Sequence, residues 1–308
     1  MNFDFLSDLA DELQRLLKQD GITVPTYKQL RLQDKRSEEL KSKIQHYDLS
    51  NLLIHFFTVC SRRIPVTQWN VHTSSKLDGR NEINDIVRKL ESGEDVNGLL
   101  SHKVKKIDQR KHADLLRYEW GIYHLHFKES RSEELLFVYF NENNAYLIDI
   151  LKHEKRDSSV VTWTNTDLVQ IMHDNWPHLI KPYIFKTNSD APVLTTEQRR
   201  ALRKKAGNTN IVVSDGTEYM PLGGGFSSSK HPVHAVIQSD FLLLTVKQIQ
   251  TDVRNNYPAI KQALSEYTPE PHLKLKLDDS FQPLVVESEK GILLNLQVNE
   301  EHGWHNGQ

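Results

Sequence analysis

Between residues 122 and 153 three apolar runs follow one another: "IYHLHF", "LLFVYF" and "AYLIDILKH". The segments joining them, "KESRSEE" and "NENN", are short and polar, so each run has to turn back along the one before it. This predicts an antiparallel meander. "LLFVYF" is apolar at every position, which suits a central strand covered on both faces better than an edge strand. A short amphipathic helix, "HADLLRYE", precedes the meander, and Gly121 opens its first strand. A second helix, "TNTDLVQIMHDNWPHLI", follows, with Thr and Asn available as caps and Pro177 near its end.

The stretches on either side differ from this middle part. Residues 1–100 are mainly helical in pattern. "MNFDFLSDLADELQRLLK" puts Phe5, Leu9, Leu13, Leu16 and Leu17 on one stripe, with acidic residues early and lysine late. Two more helices are predicted before residue 63, and another ends at Gly93. Beyond the linker-like "TNSDAP", residues 192–300 read as a further α+β module. It holds a basic helix, "LTTEQRRALRKKAG", and the hairpin "NIVVSDGTEYMPL" with an Asp-Gly turn. A long helix interrupted at Pro258 and a closing hairpin complete it. The expected architecture is therefore α+β in three stretches: 1–100, 101–186 and 192–300.

Composition narrows the class of function. A chain of 308 residues has room for about two domains. Its net charge of −2 excludes a globally basic nucleic-acid binder but leaves room for a local basic patch. Cys60 is the single cysteine, so neither a disulfide framework nor a cysteine-cluster zinc site can form; its apolar setting predicts a buried thiol. No run approaches the roughly 18 apolar residues that span a bilayer, and no signal region opens the sequence. A cytoplasmic protein without membrane contact is expected.

The stretch "HADLLRYEWGIYHLHF" carries three of the 15 histidines. Alternation along a strand places Tyr123, Leu125 and Phe127 on one face, a core face, and Ile122, His124 and His126 on the other, solvated or lining a cleft. The third run adds Leu147, Asp149, Leu151 and His153 as one face, so the sheet can present His124, His126, Asp149 and His153 together if the register agrees. Residues 101–128 hold seven lysines and arginines against three acidic residues, a local charge of +4. Basic groups there would neutralise phosphate charge, and paired imidazoles can deprotonate a 2′-hydroxyl and protonate a leaving oxygen. Three readings of the His pair stay open: a polar sheet face without chemistry, a metal-independent ribonuclease site, and metal ligation.

"YEWGIYHLHF" followed by "ELLFVYF" and "AYLIDILKH" resembles the part of the RelE-type toxin superfamily where a strand leads into two apolar strands and ends in histidine. The likeness covers roughly residues 100–180. It implies a small RNA-cleaving domain with a helical layer on a curved antiparallel sheet, working without metal or cofactor. It implies His124, His126 and His153 as catalytic candidates and Arg110, Lys111 and Arg117 as RNA-binding candidates. Histidines stand here where many members have arginine, and large flanking regions are added.

Other motifs are weaker. "GGGFSSSKH" has Gly224 and Lys230 at phosphate-loop spacing, but Ser229 and His231 replace key residues, which favours a mobile glycine loop near a ligand or partner. The basic helix reads as a solvated face or a phosphate-contacting one. "SRRIPVTQWNVHTSSK" mixes Trp69 with basic residues as single-strand binders do, though aromatics at such spacing are more often core. His173, Asp174 and His178 do not share a helix face. No G-x-S-x-G, H-E-x-x-H or Cys-His pattern is present.

The reading that results is a metal-independent RNA endonuclease of toxin or phage-defence type, with RNA as partner and an antitoxin or regulatory protein as a second one. The alternative is a non-catalytic nucleic-acid-binding or regulatory protein of a mobile element or defence system. A pure protein-interaction scaffold is the third.

Overall fold

The structure, a computed structural model, describes residues 3–22, 44–101, 114–129, 132–153, 166–186 and 193–295. In chain order the helices are α1 (Phe5–Gln19), α2 (Ile44–Arg62), α3 (Asn84–Ser92), α4 (Leu115–Trp120), α5 (Asp167–Asn175), α6 (Pro177–Ile180), α7 (Thr196–Lys204), α8 (Val233–Asn255) and α9 (Tyr257–Ala263). The strands are β1 (Asn70–Thr73), β2 (Ile122–His126), β3 (Glu134–Asn141), β4 (Asn144–Lys152), β5 (Ile211–Val212), β6 (Glu218–Tyr219), β7 (Leu273–Leu277), β8 (Pro283–Glu287) and β9 (Ile292–Leu294). The chain is α+β, as expected. Contacts group it into two units, residues 54–237 and residues 1–53 with 238–308. Among the described residues no helix is long and apolar enough to cross a membrane.

The larger unit is organised by a four-stranded sheet of order β1-β4-β3-β2. β2, β3 and β4 form the expected antiparallel meander with "LLFVYF" at its centre. β1 joins the other edge, parallel to β4, and was not foreseen as a strand. It is four residues long with little burial, so it carries almost no hydrophobic signal of its own.

Both faces of β3 are buried, and two separate sets of residues cover them. Leu135, Phe137 and Tyr139 face a layer built from Leu116, Trp120, Leu168, Ile171, Met172, Trp176 and the β5–β6 hairpin residues Ile211 and Tyr219. Leu136 and Val138 face a layer from residues 64–100, including Ile64, Trp69, Leu77, Ile86 and Leu90. Segments from the expected helical front of the chain thus complete the sheet's core. Trp69 is 6% exposed and packs on Phe140, so it is core and offers no stacking platform. Cys60, expected to be buried, is half-buried.

One irregularity matters for the face of β4. Phe137 pairs with Asp149 and Val138 with Leu147, which leaves Ile148 as the extra residue of a bulge. Leu147 therefore joins the layer from residues 64–100, while Asp149 stands in register beside Phe137 and His124. The simple alternation that put Leu147 and Asp149 on one face fails at this point.

Local signals explain most element ends. Asp114 caps α4 by accepting from the Arg117 N–H, and Gly121 ends it at φ 71°. Thr195 and Gln198 form a capping box on α7. The predicted Asp-Gly hairpin is present as β5 and β6, with Gly216 at φ 88° in the turn. Pro258 falls in the first turn of α9 and separates it from α8.

The glycine loop is a docking element, pinned in place instead of being mobile as its composition suggested. The Gly223 and Gly225 N–H groups donate to the Glu119 and Tyr118 carbonyls at 2.9 and 3.0 Å, satisfying the open C-terminal end of α4. Phe226 N–H donates to Asn208 Oδ1, and Asn208 Nδ2 donates to the Phe226 carbonyl. A buried ion pair adds to this: Arg203 donates to Glu119, which also accepts from the Thr209 N–H at 2.9 Å. Arg199, buried, donates to the Asn210 carbonyl at 2.7 Å. Two arginines of the basic helix are thus structural.

In the second unit, the α1 stripe is buried at Phe5, Leu9, Leu13 and Leu17. Asp8 accepts from the Leu275 N–H of β7 at 3.0 Å, and Gln250 accepts from the Phe5 N–H at 2.7 Å. β7, β8 and β9 form an antiparallel three-stranded sheet.

Backbone packing at Gly223 supplies a direct check. A Cβ there would lie 2.5 Å from the Tyr118 carbonyl oxygen and 2.7 Å from the Gly121 nitrogen, both backbone atoms that cannot swing aside. Gly223→Ala is expected to cost about 1–3 kcal/mol, read as a lower denaturant midpoint with an unchanged slope. An unchanged midpoint would show that the loop does not dock so closely.

Candidate active site on the sheet

His124 and His126 lie on β2 two residues apart, so they share a face, about 6–7 Å apart along the strand. Their cross-strand neighbours are Phe137 and Leu135. The face is that of Ile122, which belongs to the layer beneath α4 and α5. It was expected to be solvated or to line a cleft. Instead His126 is 4% exposed and the His124 side chain 13%, because the apolar layer closes over this side of the sheet as well.

His153 extends the group. Its N–H continues the β3–β4 ladder by donating to the Glu133 carbonyl at 2.7 Å. Its ring lies nearly parallel to that of His126, at 6.1 Å between centroids and an angle of 20°. His153 is also close enough to His124 to act on its ionisation. The three catalytic candidates read from the sequence therefore converge at the end of the sheet, where the β2–β3 connection meets the end of β4.

The protonation states of two of them are constrained. Burial holds His124 below the ordinary histidine range; the Asp114 carboxylate opposes this, and His153 adds to it. Asp114 Oδ2 stands 3.6 Å from His124 Nδ1 while its other oxygen caps α4. His126 Nδ1 accepts from the Ser132 N–H at 3.2 Å, so the neutral ring carries its proton on Nε2. Ser132 Oγ in turn donates to the Glu134 carbonyl and accepts from the Phe127 N–H at 3.1 Å. The turn is thereby tied to both strands.

Asp114 and Ser132 were missed by sequence reasoning. Asp114 carried a signal, since it stands three residues before Arg117 at a predicted helix start. Its approach to His124 depends on how α4 docks, which no local pattern encodes. Asp149 shares the face of His124, but it lies one strand beyond Phe137. Burial raises its pKa, and the charged groups acting on it are Lys76, Arg80 and Asp167. Among the described residues no three His, Cys, Asp or Glu side chains could hold one metal ion.

The RNA-binding candidates divide. Arg110 and Lys111 lie outside the described residues, in the stretch leading into Asp114. Arg117 is not with the histidines. Its guanidinium donates to the Tyr123 hydroxyl at 2.8 Å and the Ser61 carbonyl at 3.3 Å, and it lies 4.0 Å over the Tyr123 ring. Tyr123 points to the opposite face of β2 from His124. The other histidine group, His173, accepts or donates at 2.7 Å with the Tyr219 hydroxyl and lies 3.3 Å from Asp215, linking α5 to the β5–β6 hairpin.

No protein-family model, no curated protein and no solved structure matches the chain.

The constrained imidazoles define a titration experiment. The His124 midpoint is expected below the ordinary value near 6.5, and Asp114→Asn should lower it further because the carboxylate favours the charged ring. Nitrogen NMR at pH 8 should show His126 with an unprotonated Nδ1 and a protonated Nε2. Since an unfolded chain protonates the His124 imidazole first, stability should fall as pH drops below about 6.5, and the dependence should weaken in His124→Asn. A His124 midpoint at or above the ordinary value would contradict the enclosed site.

Proposed function

We propose that this protein is a metal-independent endoribonuclease of toxin or phage-defence type, with His124, His126 and His153 as its reacting groups. The observation that carries the reading is the convergence of these three imidazoles on one sheet face, with Asp114 behind His124. The resemblance to RelE-type toxins is part of the same proposal.

The chemistry can be assigned group by group. His124, kept neutral by burial and oriented by Asp114, takes the proton of a 2′-hydroxyl. The 2′-oxygen bonds to phosphorus and the bond from phosphorus to the 5′-oxygen breaks. His126 suits a fixed neutral donor, since protonating Nδ1 would set it against the Ser132 N–H; its Nε2–H would hold a phosphoryl oxygen. His153 donates a proton to the leaving 5′-oxygen. The products are a 2′,3′-cyclic phosphate and a 5′-hydroxyl, with no net proton change. Arg110 and Lys111, in the basic stretch before Asp114, would hold the flanking phosphates. An antitoxin or regulatory protein would be the second partner.

The burial of His126 favours a second reading, in which the cluster is part of the sheet's packing and the protein binds nucleic acid without cutting it. Incubation of purified full-length protein with total RNA, with and without EDTA, separates the two. Cleavage that survives EDTA and falls about 10²–10⁴-fold in folded His124→Ala and His153→Ala is the expected result. Intact RNA under all conditions, with binding that weakens steeply with salt, would assign the non-catalytic reading.

A further inference from the structure

A second cluster of basic and imidazole groups lies on the other side of β2 from the proposed site. The end of α2 and the short helix α4 hold each other through their arginines. Arg62 Nε donates to the Tyr118 hydroxyl at 2.8 Å, and Arg117 donates to the Ser61 carbonyl at 3.3 Å. This lacing brings two guanidinium groups to one contact, and Arg62 is 3% exposed.

Histidines join them from two directions. His55, Thr58 and Arg62 recur at helical spacing on α2 and so share a face. The His55 ring meets the His231 ring edge-on at 5.5 Å. His231 is fixed there by the pinned loop: its N–H donates to Ser227 Oγ at 3.2 Å and its carbonyl accepts from the Ser227 N–H at 2.8 Å. His234, in the first turn of α8, lies within reach of Arg117, and His231 within reach of Arg62. Burial and the neighbouring arginine together hold His231 low and push His234 down to about 4.

Each of these elements carries a polar atom enclosed without a hydrogen-bond partner among the described residues: Thr58 Oγ1 on α2, Arg117 Nε on α4 and His231 Nδ1 on the loop. Enclosed polar groups are almost always satisfied by protein, water or a ligand. Arg117 narrows the choice. Its partners are a hydroxyl, a carbonyl and an aromatic face, all neutral. The carboxylates of its own helix segment are engaged elsewhere, Glu119 with Arg203 and Thr209, and Asp114 with the helix cap and His124. Water would serve a hydroxyl or an imidazole, but it leaves a half-buried cation without a counter-charge. An oxyanion meets both needs, because a planar guanidinium matches its geometry and its charge.

We propose that Arg62, Arg117, His231 and His234, with Thr58, form a binding site for a phosphate group, either free inorganic phosphate or the phosphate of a mononucleotide. The site is independent of the ribonuclease reading, since its ligand is small and Arg117 lies over Tyr123, on the face of β2 opposite His124 and His126. Thr58 and an imidazole supply neutral hydrogen bonds, and the arginines supply charge.

Calorimetric titration and thermal melting of the full chain test it, using inorganic phosphate, adenosine monophosphate and adenosine, with chloride at matched ionic strength as the reference. Saturable phosphate binding, with a melting temperature that rises with phosphate concentration beyond the chloride reference, is expected. Arg117→Gln and His231→Gln should each weaken it about 10-fold or more. Tighter binding of the monophosphate than of phosphate, with none for adenosine, assigns a nucleotide; equal binding assigns the free ion. If Arg117→Gln does not fold, His231→Gln on the outer loop carries the comparison. Absence of saturable binding by wild-type protein, or wild-type affinity in a folded His231→Gln, overturns the proposal.

Discussion

Strand β3 carries apolar side chains on both faces, so the sheet has to be covered twice, and the two coverings come from different parts of the chain. Residues 64–100 close one face, while α4, α5, α6 and the β5–β6 hairpin close the other. The state of the histidines follows from that second layer. Because His124 and His126 share their face with Ile122, Leu135 and Phe137, they are enclosed with an apolar core, and His124 loses basicity by desolvation. A sheet covered on one side only would leave the same residues solvated and near their ordinary ionisation.

The position of α4 links the fold to both sites. Its start carries Asp114 to His124, and its middle carries Arg117 and Tyr118 to the end of α2. A helix of six residues is too short to hold itself together by its own hydrogen bonds. Its ends are held instead by the Asp114 cap, the glycine loop and the buried Glu119–Arg203 pair. Breaking such a buried pair by removing one partner is strongly destabilising, so the geometry around the histidines depends on residues some 85 positions away in sequence.

Much of the architecture was legible locally. The meander, the central place of "LLFVYF", the end of α4 at Gly121, the Asp-Gly hairpin and the break at Pro258 all follow from periodicity and turn chemistry. What escaped depends on contacts between distant segments. β1 has almost no signal until β4 offers it an edge. The bulge at Ile148 inverts the alternation of β4, and the cover over the histidine face comes from α4, α5, α6 and the β5–β6 hairpin. The glycine loop illustrates the same limit: its composition suggested mobility, whereas the close approach to Tyr118 and Gly121 requires glycine and fixes the loop. At the site, strand alternation was enough to suggest His124, His126, Asp149 and His153 as neighbours, but Asp114 and Ser132 enter only through docking and turn geometry.

The proposed chemistry requires that the attacking oxygen belong to the RNA itself, because His124 is assigned to a 2′-hydroxyl and no metal-held water is invoked. The most direct measurement is therefore the chemistry of the cut ends, read by mass spectrometry on a short RNA and on the same RNA with a single 2′-deoxy residue at the cut site. The account predicts a 2′,3′-cyclic phosphate and a 5′-hydroxyl on the first, and no cut at the substituted position on the second. A 5′-phosphate product, or cleavage beside the deoxy residue, would contradict it.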